Sequence, residues 1–120
     1  MIFNEKLDGK EYKIKIGFSV HAKKRMEERF IKESDVISLV KKALKYIIEH
    51  MEGNNEKKGV TFKFISSIKN FNSVVNSKWK EDVKNISKKL LDITVITTQL
   101  DWFGYKKRFL TKSGTKEYYI

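Results

Sequence analysis

Two kinds of hydrophobic periodicity alternate along the chain and predict an ordered series of strands and helices. Residues 11–18 alternate between apolar and polar side chains, which is typical of a half-buried strand. A helix is predicted to follow from Ser19, a good N-cap residue, and a second helix over residues 33–51, where apolar residues recur at helical spacing. Glu33 and Asp35 at the start of the second helix suit the helix dipole.

The second half of the chain predicts strands and one more helix. Residues 60–66 alternate again, and residues 71–75 are expected to return beside them as a neighbouring strand. The apolar residues of segment 79–90 have helical spacing and predict a short third helix: Trp79, Val83, Ile86 and Leu90. Residues 93–98 are rich in β-branched side chains and predict a central strand, and residues 105–111 and 115–120 predict a terminal hairpin.

These elements predict an α+β fold in which two N-terminal helices and a short third helix pack on one face of a mainly antiparallel sheet. With 120 residues there is room for one core, so we expect a single domain spanning residues 1–120. No run approaches the roughly 20 apolar residues that span a bilayer, and the first residues lack the pattern of a secretion signal. The absence of cysteine suits a reducing compartment. We therefore expect an unprocessed cytoplasmic protein that does not bind membranes.

The net charge of +11 is unevenly distributed along the chain. Residues 1–56 carry 12 Lys and Arg against 10 Asp and Glu, whereas residues 57–120 carry 14 against 5. This asymmetry favours a polyanionic partner, because Lys and Arg that neutralise phosphates release condensed counterions. The alternative is that the lysines serve only as solubility charges.

The predicted first helix carries three candidate catalytic residues, His21, Arg25 and Arg29. His21, Arg25 and Glu28 follow one another at i, i+4 and i+7 and therefore lie along one helix face. RNA cleavage without a metal needs groups that transfer protons and fixed positive charge near the phosphate, which histidine and arginine supply. The alternative is structural: His21 and the two arginines only tie the helix to a backbone carbonyl or to Glu28, and Arg29 also covers apolar surface with its stem.

A second candidate cluster lies near the C-terminus, where aromatic and basic residues interleave. Such a pattern suits single-stranded nucleic acid, because bases stack on rings while Lys and Arg follow the phosphates. The predicted nucleic-acid-binding residues are Trp102, Lys106, Lys107, Lys112 and Lys116. Tyr105 and Arg108 are added as candidate catalytic residues. The alternative is that the aromatic residues here belong to the core.

The motif His21-Ala-x-x-Arg25-Met-x-x-Arg29, preceded by Phe18 and Ser19, resembles the opening of a bacterial and phage domain family of uncharacterised function placed near the RelE/ParE/BrnT-type toxins. The resemblance covers residues 16–40. It implies a RelE-like fold, with catalytic Arg, Lys, Tyr or His on the sheet and near the C-terminus. The chain has Phe30 where the family usually has Gly, so we expect the left-handed helix stop to be made in another way.

Two functions from different classes are therefore expected. The first is a toxin-like, metal-independent ribonuclease of a toxin–antitoxin type system, which acts on free or ribosome-bound RNA and is inhibited by an acidic antitoxin. The second is a non-catalytic phage- or plasmid-borne module that binds or inhibits nucleic acid or a nucleic-acid-handling complex. We expect no cofactor, and no metal site either, since the chain has no Cys and only two His.

Overall fold

The secondary structure comprises two helices and six strands within the residues that the computed structural model describes, 1–52, 59–66, 71–82, 85–100 and 116–120. In chain order the elements are β1 (Ile2–Leu7), β2 (Lys10–Phe18), α1 (Val20–Glu28), α2 (Glu33–Glu52), β3 (Val60–Ile65), β4 (Phe71–Asp82), β5 (Asn85–Leu100) and β6 (Lys116–Tyr119). The two predicted N-terminal helices are confirmed, as are the strands predicted before α1 and after α2.

The six strands form one mixed sheet in the order β1-β2-β5-β4-β3-β6. The pairs β1/β2, β3/β4 and β4/β5 are antiparallel, and the pairs β2/β5 and β3/β6 are parallel. The fold is α+β as predicted, but the sheet is mixed. Strand β5 follows both helices in the sequence, and it pairs with β2 in the parallel direction. Its place between β2 and β4 confirms the central strand predicted at residues 93–98.

The prediction of a third helix at residues 79–90 is wrong. Trp79 lies in β4 and Leu90 in β5, and the two strands pair with each other, with Trp79 opposite Leu91. The helical spacing of the apolar residues is therefore coincidental, and pairing between strands overrides the local pattern. Of the predicted terminal hairpin, the segment 105–111 lies outside the described residues, and the last strand, β6, pairs in parallel with β3.

Strand β1 was not predicted from the sequence. It forms a hairpin with β2 through Asp8 and Gly9, which have φ angles of 51° and 78°. Two successive positive φ angles define a type I′ turn, for which Asp-Gly is a preferred pair because glycine adopts positive φ without strain. Only Phe3 and Leu7 of β1 are half-buried, so this edge strand lacks a clear alternating pattern.

The core lies between the helices and one face of the sheet. That face carries the buried apolar residues of the four inner strands: Ile14, Ile16, Val60, Phe62, Phe64, Phe71, Val75, Leu91, Ile93 and Val95. Helix α1 adds Ala22 and Met26, and α2 adds an apolar stripe of eight buried residues. Both helices and this face contribute to the same hydrophobic cluster, so the position of each helix is fixed by burial of its apolar stripe.

The C-terminal end of α2 is held against β2 and β4. The indole Nε1 of Trp79 donates a hydrogen bond to the carbonyl oxygen of Met51 at 3.1 Å, and the Tyr12 hydroxyl donates to the Glu52 carboxylate. Accepting this hydrogen bond, Glu52 favours the neutral phenol and raises the pKa of Tyr12 to about 12. Trp79 and Tyr12 also stack, with ring centroids 6.4 Å apart.

Helix α1 ends in a left-handed turn made by Phe30, which has a φ angle of 54°. The Ile31 amide donates to the Met26 carbonyl at 2.9 Å, and the Phe30 amide donates to the Glu27 carbonyl at 3.4 Å. These two bonds form a Schellman motif, in which glycine is the usual left-handed residue. The chain therefore makes the left-handed stop without glycine. Phe30 itself adopts the strained left-handed conformation, and its side chain is 94% exposed.

Replacing Phe30 by glycine is expected to stabilise the protein by about 0.5–1 kcal/mol. Relief of left-handed strain contributes about 1–2 kcal/mol, and the greater freedom of glycine in the unfolded chain offsets part of that gain. Urea denaturation of the wild type and Phe30→Gly measures the difference. Phe30→Ala is the control, because alanine keeps the strain and loses the same exposed ring. An equal gain in both variants would contradict the explanation from backbone strain.

Candidate functional site

Ser19 fixes the start of α1 to the central strand β5. Its hydroxyl oxygen accepts a hydrogen bond from the Ala22 amide at 3.0 Å, which is the predicted N-cap. The same hydroxyl donates to the Ile96 carbonyl at 2.9 Å, and the Ser19 amide donates to the Val95 carbonyl at 2.9 Å. The N-terminus of α1 is therefore attached directly to the backbone of β5.

An irregularity in β5 makes one of these carbonyls available. Val95 pairs with Val75 and Thr97 pairs with Val74, so Ile96 is an extra residue that has no partner in the β4/β5 ladder. Such a bulge locally disrupts the ladder and redirects backbone groups. The pairing of β2 with β5 also ends at Val95, and the backbone of β5 beyond that point is open on this side to donors from α1.

Arg29 fixes the other end of α1 to the same strand. Its guanidinium Nη1 donates to the Thr98 carbonyl at 2.8 Å, and the side chain is half-buried. Among the three arginine and histidine candidates on this helix, Arg29 is thus hydrogen-bonded to the backbone of β5. Hydrogen bonds from both ends of α1 to β5 hold the helix in a defined position.

His21, Arg25 and Glu28 lie in a row along one side of α1, which we call the α1 row. His21 is exposed, and within the described part of the chain it has no hydrogen-bond or ion-pair partner. Arg25 Nη1 lies 3.2 Å from Glu28 Oε2, and the two side chains are 42% and 45% exposed. The row can therefore meet a ligand in solvent, and the exposed ion pair can open at little cost, since such pairs contribute about 0–1 kcal/mol.

The other predicted site residues are placed elsewhere or lie outside the described residues. Lys116 is exposed at the start of β6, which is separated from β5 by β4 and β3. Three strand spacings amount to roughly 14 Å, so Lys116 is not adjacent to the α1 row. The remaining candidates all fall in segment 101–115, outside the described residues: Trp102, Tyr105, Lys106, Lys107, Arg108 and Lys112.

Within the described ranges, no three His, Asp or Glu side chains are grouped so that they could hold a metal ion. In the same part of the chain, none of the helices has the length and apolar character required to cross a membrane.

A family model matches residues 18–97 of the chain, which is well over half of its length. The chain belongs to the DUF4258 family, a domain family of unknown function. The DUF4258 region runs from the end of β2 through both helices to the bulge in β5. It therefore contains Ser19 and its acceptor Ile96, together with the whole α1 row, whereas β1 and β6 lie outside it. No curated protein and no solved structure gave a significant match to the chain.

Two contacts of α1 could not be found by reading the sequence. The contacts of Ser19 with Ile96 and of Arg29 with Thr98 join positions 77 and 69 residues apart. Local periodicity carries no signal for such pairs. The exposed Phe30 at the end of α1, by contrast, had a signal in the sequence, because a bulky residue stands where a left-handed helix stop usually has glycine.

Proposed function

We propose that this protein is a toxin-like, RNA-binding protein with a RelE-like scaffold that cleaves RNA without a metal ion, using the α1 row. The observation that carries the proposal is the position of His21, exposed and one turn from Arg25 on a helix whose two ends are tied to the sheet. A histidine near neutral pH can both accept and donate a proton. A rigid support holds it where a bound phosphate can be reached.

The proposed reaction is attack of a ribose 2′-OH on the adjacent phosphorus. A bond forms between the 2′ oxygen and phosphorus, and the bond from phosphorus to the 5′ oxygen of the next nucleotide breaks. His21 takes the 2′ proton or supplies the proton that the leaving oxygen needs, with water or a further side chain in the complementary role. Arg25, released from Glu28, stabilises the negative charge that develops on the phosphate. The products are a 2′,3′-cyclic phosphate and a free 5′-hydroxyl.

The charge of the chain supports this proposal. The net charge of +11 favours RNA as the partner, and an acidic antitoxin would neutralise the same positive charge. The α1 row lies inside the DUF4258 region, which covers residues 18–97. In this proposal the protein acts in the cytoplasm on free or ribosome-bound RNA, and segment 101–115 contributes Tyr105 and Arg108.

A second candidate function is a non-catalytic module that only binds nucleic acid or a nucleic-acid-handling complex. It is favoured by the use of Arg29, whose guanidinium is hydrogen-bonded to the Thr98 carbonyl. The ion pair between Arg25 and Glu28 points the same way. On this alternative the exposed cations of α1 attract phosphate but perform no chemistry.

The deciding experiment is incubation of the purified protein with end-labelled RNA in EDTA, with and without ribosomes. We expect cleavage by the wild type, and a loss of about 10²–10⁴-fold in His21→Ala, the usual contribution of an acid–base group. Arg25→Ala should also lose activity. Lys24→Ala is the control, because Lys24 is an exposed cation on the same helix.

The result separates the two candidate functions. Cleavage that persists in EDTA, disappears in His21→Ala and survives in Lys24→Ala supports the ribonuclease. Salt-sensitive RNA binding without cleavage under either condition supports the binding module. Cleavage that is unchanged in His21→Ala contradicts the role proposed for the α1 row.

A further inference from the structure

The face of the sheet opposite the core carries lysines on both sides of its central strand. In the register of the sheet, Asp92 of β5 lies between Lys15 of β2 and Lys78 of β4. One step along, Leu90 lies between Lys13 and Lys80 in the same way. Partners across a ladder point to the same face, so these side chains form two adjacent rows.

The alternation of each strand places both rows away from the core. Their neighbours along the strands, Ile14 in β2 and Leu91 in β5, are fully buried among the core residues. Successive residues of a strand point to opposite faces, which directs Lys13, Lys15 and Asp92 outward. We call the four residues Lys13, Lys15, Lys78 and Lys80 the lysine face.

Asp92 is the acidic residue at the centre of this arrangement. Its carboxylate Oδ2 lies 2.8 Å from Lys80 Nζ, and the two side chains are 8% and 50% exposed, respectively. One lysine is thus neutralised by a carboxylate that is largely buried, while Lys15 is exposed at the other side. The lysine face thus carries four lysines, one of which is paired with the Asp92 carboxylate.

The spacing of the lysine face suits a phosphate backbone. Lys13 and Lys15 are two residues apart on one strand, or roughly 7 Å, and Lys15 and Lys78 are two strands apart, or roughly 10 Å. Lysine side chains are flexible enough to adjust to phosphates at these distances, and their point charges bind phosphates without sequence specificity. A sheet surface with lysines on both sides of its central strand can follow an extended nucleic-acid strand.

We infer that the lysine face binds the phosphate backbone of single-stranded RNA. This inference rests on the proposed function, which makes RNA the ligand, and it adds a surface that lies on the sheet and not on α1. RNA held across β2, β5 and β4 is anchored by elements that also support the α1 row, since β5 carries the carbonyls that hold α1. Helix α1 packs on the core face, so the lysine face and the α1 row lie on opposite sides of the sheet.

The test compares two double variants of the full chain that remove equal charge. Lys15→Ala/Lys78→Ala alters the lysine face, and Lys42→Ala/Lys45→Ala removes two exposed lysines of α2. Binding of fluorescein-labelled oligouridylate is followed by fluorescence anisotropy at several salt concentrations. Thermal unfolding of each variant verifies that it is folded.

The lysine-face variant is expected to bind roughly twenty-fold more weakly at about 0.1 M salt, with a slope of log K against log salt reduced by about 1.4. These values follow from about 0.7 released counterions per contact on a single strand. Lys42→Ala/Lys45→Ala is expected to change the affinity by only about two- to threefold, through the lower net charge alone. Lys15→Arg/Lys78→Arg should restore binding, because it restores the charge.

Each other outcome overturns the inference in a recognisable way. Equal losses in both double variants would mean that only total charge matters, and no loss in either would exclude the lysine face. Polyglutamate of equal charge is also tested as a competitor of RNA. If it displaces RNA and the displacement depends on the same two lysines, the ligand of the lysine face is an acidic protein. If the wild type itself does not bind RNA, the proposed function fails and this inference fails with it.

Discussion

Phe62→Ala is expected to lower the free energy of unfolding by about 3–5 kcal/mol, the usual cost of removing a buried phenyl ring. Phe62 is completely buried in β3. Its ring meets His50 of α2 edge-on at 5.6 Å between centroids, stacks with Phe64 at 5.8 Å and lies 6.3 Å from Tyr118 of β6. The variant therefore loses contacts that join α2, β3 and β6, and it leaves a cavity that close packing cannot fill completely.

Urea denaturation followed by circular dichroism measures this loss. Phe30→Ala is the matched control, since it removes the same atoms from a side chain that is 94% exposed, and we expect a change within about 0.5 kcal/mol. Similar small losses in both variants would show that Phe62 does not belong to the core. A loss confined to Phe62→Ala supports the placement of α2 on this face of the sheet.

Arg29→Ala is expected to lower the free energy of unfolding by about 1.5–2 kcal/mol. A hydrogen bond that involves a charged group contributes about 1.5–3 kcal/mol, and the half-buried position of Arg29 favours the lower part of that range. The variant also leaves the Thr98 carbonyl without its donor from α1. Denaturation of the two single-alanine variants Arg29→Ala and Arg25→Ala measures the effect.

Arg25→Ala is the control for this prediction, because its exposed ion pair with Glu28 contributes only about 0–1 kcal/mol. The two variants should therefore differ. Arg25→Ala is expected to reduce RNA cleavage with little loss of stability, whereas Arg29→Ala is expected to lower the free energy of unfolding. The reverse pattern, in which Arg29→Ala stays fully stable but loses activity, would contradict the structural role of Arg29 and favour the catalytic role first expected for it.

The sequence predicted best where one face of an element is buried against the core. Both helices and the strands at β2, β3 and β5 were predicted because apolar residues recur with the period of each element. The prediction failed at residues 79–90, where apolar residues of two paired strands happen to fall at helical intervals. Edge strand β1 was missed because little of it is buried, and strand direction was missed because it depends on connections across the whole chain.

For the candidate site, the sequence predicted the α1 row and its N-cap, since both follow from spacing within a single helix. It offered a catalytic and a structural alternative for Arg29, and the structure shows the guanidinium of this residue hydrogen-bonded to the Thr98 carbonyl. The lysines of β2 were recognised only as the polar side of a strand. Their juxtaposition with Lys78 and Lys80 depends on the parallel pairing of β2 with β5, which no local pattern specifies.

The attachment of α1 to β5 also has a consequence for the order in which the molecule assembles. Ser19 and its acceptor Ile96 are 77 positions apart, so the helix that carries His21 and Arg25 is made long before the strand that holds it. Closing so long a loop costs entropy before any contact forms, which slows folding. A nascent chain that ends before Val95 leaves both ends of α1 without their acceptors. The proposed activity should accordingly arise only late in synthesis, when β5 has joined β2.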